Sequence, residues 1–274
     1  MKTTCGLCFH RCALEEGRTG FCRARANRGG EIVPLNYGKV TSLALDPIEK
    51  KPLRRFYPGS KILSAGSFGC NLRCPFCQNH EISMAGEETR TEAISPGELA
   101  ALAEDLKPRG NIGVAYTYNE PLIAYEYVCD TAALIHAQGM ANVLVTNGTI
   151  VETPWRKLLP LINAANIDLK GFTEDWYRRL GGDLETVKRS IAIAAERIHV
   201  EVTTLLVPGE NDGEDEIRDL AKWLAGIRRD IPLHLSRFFP RYNMTDKPPT
   251  PVERVYRLAD IAREYLEYVY TGNC

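Results

Sequence analysis

The sequence has no long apolar run. No stretch of about 18 apolar residues occurs, and the N-terminal MKTTCGLCFHRC lacks the apolar segment of a signal peptide. These absences argue against membrane spanning and export, so we expect a cytoplasmic protein. The chain also lacks an excess of charge of either sign, because its formal net charge is −1. We therefore expect no general attraction to nucleic acid or to an acidic membrane surface.

The composition is that of an ordinary globular protein. The 274 residues are 44% hydrophobic and 25% charged, so neither disorder nor a fibrous repeat is indicated. Residues 1–60 are rich in Cys, Gly, Arg and Pro and show little periodicity, which predicts a cysteine-rich, metal-binding N-terminal extension. Residues 61–274 form the predicted main domain. The basic run EKKPLRR at 49–55 is expected to be a solvated loop.

From residue 61 onward, short apolar runs alternate with helical segments. Repeated β-then-α units predict a parallel sheet with right-handed crossovers. Six such runs favour an α/β fold, a partial (β/α)6 TIM-like barrel that is open relative to the eight-stranded form. A doubly wound open sheet is the alternative, and periodicity does not separate the two. Ser95 and Glu98 predict a capping box at the first long helix. The predicted strands are 61–66, 111–117, 142–148, 165–171, 199–208 and 232–238.

Three cysteines follow the first predicted strand directly. Cys70, Cys74 and Cys77 are spaced C-x3-C-x2-C, and clustered thiols in a reducing compartment are typical of metal ligands. A structural zinc site needs four protein ligands, whereas this loop supplies three. A four-iron cluster held by three thiolates would leave one iron open to a small molecule. The alternatives are a zinc knuckle completed by a distant residue and three incidental core thiols.

A second group of four cysteines lies near the N-terminus. Cys5, Cys8, Cys12 and Cys22 have the spacing C-x2-C-x3-C-x9-C, and the segment has too few apolar residues to fold by burial alone. The spacing therefore predicts one bound metal ion or cluster, with His10 as an alternative ligand; two disulfides or a reactive thiol group are the alternatives. Zinc and a second iron–sulfur cluster both stay open, and the pattern differs from the bacterial ferredoxin run.

The three-cysteine loop resembles the C-x3-C-x-aromatic-C motif of the radical S-adenosylmethionine (SAM) superfamily, with Phe76 as the aromatic residue. The resemblance implies a [4Fe-4S] cluster on the three cysteines, with SAM chelated to the fourth iron. It also implies reductive cleavage of SAM to methionine and a deoxyadenosyl radical, which abstracts hydrogen from a substrate. Such an enzyme is oxygen-sensitive, works anaerobically and receives electrons from a donor such as flavodoxin or ferredoxin.

The segment ANIDLKG at 165–171 places Asn166, Asp168 and Lys170 on one face of a predicted strand. Polar groups at the end of an otherwise buried strand indicate a site, and a surface ion pair is the alternative. The D-x-K pattern resembles that of glycyl-radical-enzyme activases. This resemblance implies that Lys170 contacts the methionine carboxylate of SAM and that Asp168 helps to hold a nearby cation.

Further candidates lie at the ends of other predicted strands. The stretch VTNG resembles the activases, except that Val145 replaces an Asp, so one cation ligand is missing. The stretch YNEP at 118–121 stands where many superfamily members have Gly-Gly-Glu-Pro. His234 is a candidate catalytic residue on the substrate side, and a satisfied core histidine is the alternative. The candidates for SAM binding at these strand ends are Asn119, Glu120, Thr146, Asn147 and Thr203.

Longer motifs extend the resemblance over essentially the whole chain. They include YGKVTSLALDPIEKKPL, GSFGCNLRCPFCQN, NIDLKGF and HLSRFFPRYNM, and they resemble the AmmeMemoRadiSam-system radical SAM enzymes, relatives of pyruvate formate-lyase activating enzyme. The resemblance implies Memo-type and AMMECR-type proteins as partners and an unidentified substrate, either a protein or a small molecule. Family members often continue into another cysteine-containing segment, so after Cys274 such an element is expected to be absent or truncated.

Two other function classes stay open at this point. One is a non-catalytic iron–sulfur electron-transfer protein, which needs fully ligated clusters and no room for SAM. The other is a zinc-dependent binding module.

Overall fold

One eight-stranded sheet forms the centre of the molecule in the computed structural model, which describes residues 1–274. The strands are β1 (Thr3–Thr4), β2 (Ala13–Leu14), β3 (Arg25–Arg28), β4 (Glu31–Pro34), β5 (Lys39–Val40), β6 (Ser42–Pro47), β7 (Lys61–Gly66), β8 (Glu92–Ala93), β9 (Asn111–Tyr116), β10 (Ala141–Thr146), β11 (Ala164–Asp168), β12 (His199–Leu206), β13 (Leu233–Arg237) and β14 (Val269–Gly272).

Helices connect most of the parallel strands. They are α1 (His80–Ser83), α2 (Pro96–Asp105), α3 (Tyr125–Ala137), α4 (Glu152–Leu158), α5 (Glu174–Arg179), α6 (Leu184–Ala195), α7 (Glu214–Ile227) and α8 (Val252–Arg263), with 3₁₀ turns at Ile48–Lys50, Lys107–Arg109, Pro121–Ala124 and Leu159–Leu161. The capping box at α2 is confirmed, because Ser95 and Glu98 bond each other's backbone N–H groups. None of the helices has the length and apolar character needed to cross a bilayer.

The order of strands in the central sheet confirms the partial barrel. The sheet runs β6-β7-β9-β10-β11-β12-β13-β14, so the strands follow chain order without a reversal. A doubly wound sheet requires such a reversal and is therefore excluded. The sheet has seven parallel strands rather than the six expected, because β14 pairs with β13, and β6 adds an antiparallel strand at the other end. The two end strands do not pair, so the barrel is open.

The strand β6 bears on the predicted division of the chain. Two short antiparallel pairs, β1 with β2 and β3 with β4, lie in the cysteine-rich N-terminal part. β6, however, belongs to the central sheet although it lies within residues 1–60. The separation into 1–60 and 61–274 stays a prediction, and these pairings favour a boundary before Ser42.

The segment after β6 fills the inside of the barrel near the strands' N-terminal ends. Ile48 and Leu53 are fully buried there. They pack with residues of four parallel strands, Ile62, Ala115, Val143 and Ala164. The opposite sheet face packs in a larger cluster with the helices. The prediction of a solvated loop at 49–55 is correct for Lys50, Arg54 and Arg55, which are exposed, and wrong for Leu53 and for Lys51, which is only 2% exposed.

Glu201 ties this segment to the inner wall of the barrel. Its carboxylate accepts hydrogen bonds from the backbone N–H groups of Arg54 (3.0 Å) and Arg55 (2.8 Å). His199 Nε2 (2.9 Å) and His234 Nε2 (2.6 Å) complete the shell. Burial opposes ionisation, but these four partners outweigh it and lower the pKa of Glu201 to about 2. Glu201 is therefore a buried anion, held by two backbone N–H groups and two histidine side chains.

Replacement of Glu201 by Gln is expected to lower the free energy of unfolding by about 3 kcal/mol near pH 7, because an uncharged amide faces donors arranged for a carboxylate. The pKa is about 2 in the folded chain against an ordinary value of 4.5. The stabilisation by the ionised Glu201 carboxylate is therefore complete above about pH 4.5 and is lost as the pH falls toward 2. Urea titrations at several pH values measure both effects.

The control for this prediction is Glu196→Gln, at an exposed position beside the same strand, which should change the unfolding free energy by less than about 0.5 kcal/mol. Equal stability of Glu201→Gln and wild-type protein at neutral pH would contradict the assignment.

Candidate active site

The three-cysteine loop leaves the carboxyl end of β7 and is held by the residue that follows β9. Asn119 Oδ1 accepts a hydrogen bond from the Ser67 N–H (2.9 Å), and its Nδ2 donates to the carbonyl oxygens of Phe68 (3.1 Å) and Gly69 (3.0 Å). Gly69 has φ of +86°, and a Cβ there would lie 2.6 Å from the Cys22 carbonyl oxygen. The start of the loop is therefore fixed by one amide side chain and requires a glycine.

One set of predicted residues surrounds Cys70. Glu120 Oε1 accepts a hydrogen bond from Thr146 Oγ1 (2.7 Å), and Oε2 accepts one from the Asn147 N–H (2.7 Å). Asn147 Nδ2 donates to Asn71 Oδ1 (2.9 Å) and lies 3.6 Å from Cys70 Sγ. The turns after β7, β9 and β10 thus share one hydrogen-bond network that ends at a thiol.

Glu120 is the buried acid of this network. Burial raises its pKa to about 7, although hydrogen bonds from Asn147, Thr146 and the Leu122 N–H favour the carboxylate. Each of these three partners can serve as a donor to the carboxyl group. The side chain therefore organises the ends of β9 and β10.

A second set lies around Cys74. The strand β11 ends at Asp168, so Lys170 stands in the following loop rather than on the strand face expected from the sequence. Its Nζ is nevertheless 2.9 Å from Asp168 Oδ2. Burial lowers the pKa of Lys170, but the charges of Asp168 and Cys74 outweigh that effect and raise it above the ordinary value. Lys170 is a cation held beside the second cysteine of the loop.

Two aromatic residues of α5 complete this set and were not predicted from the sequence. The Trp176 ring stacks on Phe76 with centroids 5.9 Å apart, and its Nε1 donates to the Lys170 carbonyl oxygen (2.7 Å). The Tyr177 hydroxyl accepts from the Lys170 N–H (3.0 Å). Thr173 caps α5 through its side chain, a signal that predicts a helix start but not these contacts.

The remaining candidates, Thr203 and His234, lie on the strands β12 and β13. Asp168, Thr203 and His234 pair in register across β11, β12 and β13. Thr203 Oγ1 donates to Asn166 Oδ1 (2.9 Å). His234 bonds to Glu201 and stacks on Tyr270, with ring centroids 5.3 Å apart. The structure thus places His234 in the Glu201 network.

The four N-terminal cysteines form a separate group behind the loop. Cys5, Cys8, Cys12 and Cys22 line one small cavity. All nine cysteines of the chain are free thiols in the structure.

The donor set of the three-cysteine loop suits an iron–sulfur cluster by chemistry and placement. Cys70 Sγ accepts hydrogen bonds from the Leu72 N–H (3.4 Å) and from Asn147, but burial outweighs these contacts and raises the pKa of Cys70 well above its ordinary value. Burial raises the pKa of Cys74 to about 11, so a bound metal must displace its proton. No three or more His, Cys, Asp or Glu side chains converge closely enough to hold a metal ion. A [4Fe-4S] cluster does not require such convergence, because each of its three cysteine ligands binds a different iron.

The structure thus combines an open parallel barrel with a three-thiol loop after β7 and a Lys–Asp pair at the end of β11. The chain belongs to the Radical SAM superfamily, whose family model matches residues 66–224. The chain is 42% identical to the uncharacterized protein MJ0808 of Methanocaldococcus jannaschii, over 99% of this chain and 81% of that protein.

Two further relatives connect the chain with activating enzymes. The pyruvate formate-lyase-activating enzyme of Clostridium pasteurianum is 28% identical over 58% of this chain and 68% of that protein. A crystal structure of a domain of pyruvate-formate lyase-activating enzyme from Bacteroides vulgatus superposes with a TM-score of 0.51, at 21% identity, over 59% of this chain and 99% of that domain. The superposition on the Bacteroides vulgatus domain shows that this chain and that domain share a fold.

Family membership settles the general activity. The chain is a radical SAM enzyme of the oxidoreductase type, homologous to activating enzymes, and its cofactors are a [4Fe-4S] cluster and SAM. The electron-transfer protein and the zinc-dependent binding module are therefore set aside as descriptions of the whole chain.

Replacement of Asn119 by Ala is expected to speed amide hydrogen exchange across residues 67–79 about tenfold and to cost about 2 kcal/mol, because three backbone groups lose their buried partner. Exchange measured by mass spectrometry reports on the loop directly. Gln78→Ala is the matched control, since Gln78 is an exposed residue of the same loop. Unchanged exchange in the Asn119 variant would show that the loop is held by other contacts.

Proposed function

We propose that Cys70, Cys74 and Cys77 hold the [4Fe-4S] cluster and that SAM binds between this loop and the Asp168–Lys170 pair. The observation that carries the proposal is the meeting of these groups at the carboxyl ends of adjacent parallel strands, where active sites of such barrels lie. The thiols come from the loop after β7, and the ion pair comes from the end of β11.

The chain's own residues bind and orient the cofactor. Lys170 is a half-buried cation suited to the SAM carboxylate, and Asp168 Oδ2 lies 2.9 Å from its ammonium nitrogen. Asn119, Glu120, Thr146 and Asn147 organise the opposite side through their shared hydrogen bonds. When bound and reduced, the cluster supplies the electron that splits SAM into methionine and a deoxyadenosyl radical able to abstract hydrogen from a substrate.

An apolar cluster shields this position from water. Phe76, Trp176, Leu180 and Phe238 are buried together, and Cys70 and Cys77 pack against them at its border. Exclusion of water protects reactive species and strengthens the electrostatic contacts of Lys170. Thr203 lies beside this position in the register and is proposed as a further SAM contact, with His234 on the substrate side.

We infer that the substrate is a protein and that the enzyme belongs to the AmmeMemoRadiSam branch. Homology to an enzyme named for activating pyruvate formate-lyase supports a protein substrate, and the open barrel leaves an edge through which a peptide loop can enter. Memo-type and AMMECR-type proteins are the proposed partners, and flavodoxin or ferredoxin is the proposed electron donor. The nine free thiols support a reducing cytoplasm as the proposed location.

Replacement of Cys74 by Ala should abolish deoxyadenosine release from SAM and lower iron from about four atoms per chain, because a cluster held by two protein thiolates is not retained. The measurement is anaerobic reconstitution with iron and sulfide, followed by chromatography of the dithionite-driven reaction. Cys129→Ala removes a half-buried cysteine of α3 and should leave both quantities unchanged. Wild-type cleavage by the Cys74 variant would refute the cluster assignment.

Replacement of Lys170 by Met should weaken SAM binding about 10- to 100-fold while leaving iron content unchanged, because a charged hydrogen bond to the SAM carboxylate is lost. Equilibrium dialysis of SAM against reconstituted protein measures the change. Lys222→Met, at an exposed position of α7, controls for loss of positive charge. Equal affinities of the Lys170 variant and wild-type protein would place the SAM carboxylate elsewhere.

A further inference from the structure

All four N-terminal cysteines face one enclosed space. Cys5, Cys8, Cys12 and Cys22 line a cavity of about 10 Å³, the room of a single water-sized sphere. The four cysteines lie within a stretch of eighteen residues that begins at Cys5 and ends at Cys22. Four soft donors around one small space are the donor set of a closed, tetrahedral metal site.

The local backbone brings these thiols together. Because β1 and β2 pair with Thr4 opposite Ala13, Cys5 and Cys12 stand across from each other, and the Cys5 N–H donates to the Cys12 carbonyl oxygen (2.9 Å). The Phe21 N–H donates to Cys12 Sγ (3.4 Å), which brings the segment before Cys22 against the hairpin. An N–H group directed at sulfur stabilises a thiolate, the form that binds a metal.

The donor set favours one of the two metals that the sequence left open. The small cavity has room for a single ion as it stands. His10 is not needed as a ligand, because its Nε2 is engaged with the Asn71 carbonyl oxygen (2.9 Å) and its ring lies between Phe9 and Phe21. Thiolates alone favour zinc among the ions that take a closed tetrahedral site.

This cysteine group packs directly on the three-cysteine loop. Arg73, between Cys70 and Cys74, places its guanidinium 3.9 Å from the Phe21 ring centroid and donates to the Phe21 carbonyl oxygen. The same guanidinium donates to the Cys70 carbonyl oxygen (2.9 Å). The backbone of Cys22 lies against Gly69. The N-terminal segment therefore forms a wall of the loop proposed to hold the cluster.

We propose that Cys5, Cys8, Cys12 and Cys22 bind one Zn²⁺ ion in a closed four-thiolate site, and that this site positions residues 67–79. Zinc binding releases thiol protons and requires rotation of the side chains about χ1 toward the cavity, because they do not converge on a common point in the structure. The zinc part stands independently. The positioning part rests on the proposed function, since it treats residues 67–79 as the cluster loop.

The test compares Cys8→Ser with Cys129→Ser, since both positions are half-buried. Anaerobically purified full-length protein should contain about one zinc per chain. Cys8→Ser should reduce zinc to a trace and speed amide exchange across 67–79 by about tenfold. Cys129→Ser should leave both unchanged. If Cys8→Ser fails to fold, zinc is instead removed from wild-type protein with a chelator, and exchange is measured before and after.

Specific outcomes overturn the proposal. Absence of zinc from wild-type protein, even after incubation with Zn²⁺, removes the site. A variant with Cys70, Cys74 and Cys77 all changed to Ala provides a second test. If it retains iron and sulfide, the N-terminal cysteines hold a second cluster and not zinc. Zinc loss without faster exchange at 67–79 would reject the positioning role. The iron at Cys70, Cys74 and Cys77 and the zinc at the N-terminal cysteines are measured separately. Failure of the proposed function can therefore be distinguished from failure of the zinc proposal.

Discussion

The arrangement of the site depends on the parallel pairing of β7, β9, β10 and β11. Parallel strands present their carboxyl ends at the same edge of a sheet, so the turns that follow them meet there whatever their separation along the chain. Register decides which side chains face the site, and a shift by one residue would turn Asp168 and Asn166 away from the barrel interior. The thiol loop, the Glu120 network and Lys170 are neighbours for this reason.

The opposite end of the barrel meets a different requirement. An open barrel interior that contains polar residues must satisfy them, because buried polar groups without partners cost free energy. Glu201 meets this requirement by accepting from backbone N–H groups of Arg54 and Arg55 and from two histidines. The inner segment after β6 thereby closes one end of the barrel. The proposed SAM site lies at the other end, at the carboxyl ends of the parallel strands.

Much of the fold and part of the site could be predicted because their signals are local. The six internal strands, the capping box and the C-x3-C-x2-C spacing are each contained within a few residues. The burial of Lys51 and Leu53 in the basic run at 49–55 could not be predicted from local signals. Glu201, which accepts a hydrogen bond from the Arg54 N–H, lies 147 residues from Arg54 in the chain. Trp176 escaped prediction because α5 has only six residues, too few to show which side faces Phe76. Non-local contacts of this kind leave no periodic trace in a single sequence.

Tyr118, the first residue of the YNEP stretch, has a backbone conformation that glycine adopts more readily. Tyr118 has φ of +71°, a left-handed conformation that costs a residue with a Cβ about 1–2 kcal/mol. Its hydroxyl donates to Asp46 (2.7 Å), and Lys51 Nζ lies 4.6 Å from its ring centroid, contacts that offset the strain. In turn Gly66 is required, since a Cβ there would lie 2.8 Å from the Tyr118 ring. The Tyr118 ring thus occupies the space that a side chain at residue 66 would need, and Asn119, the next residue, holds the start of the cysteine loop.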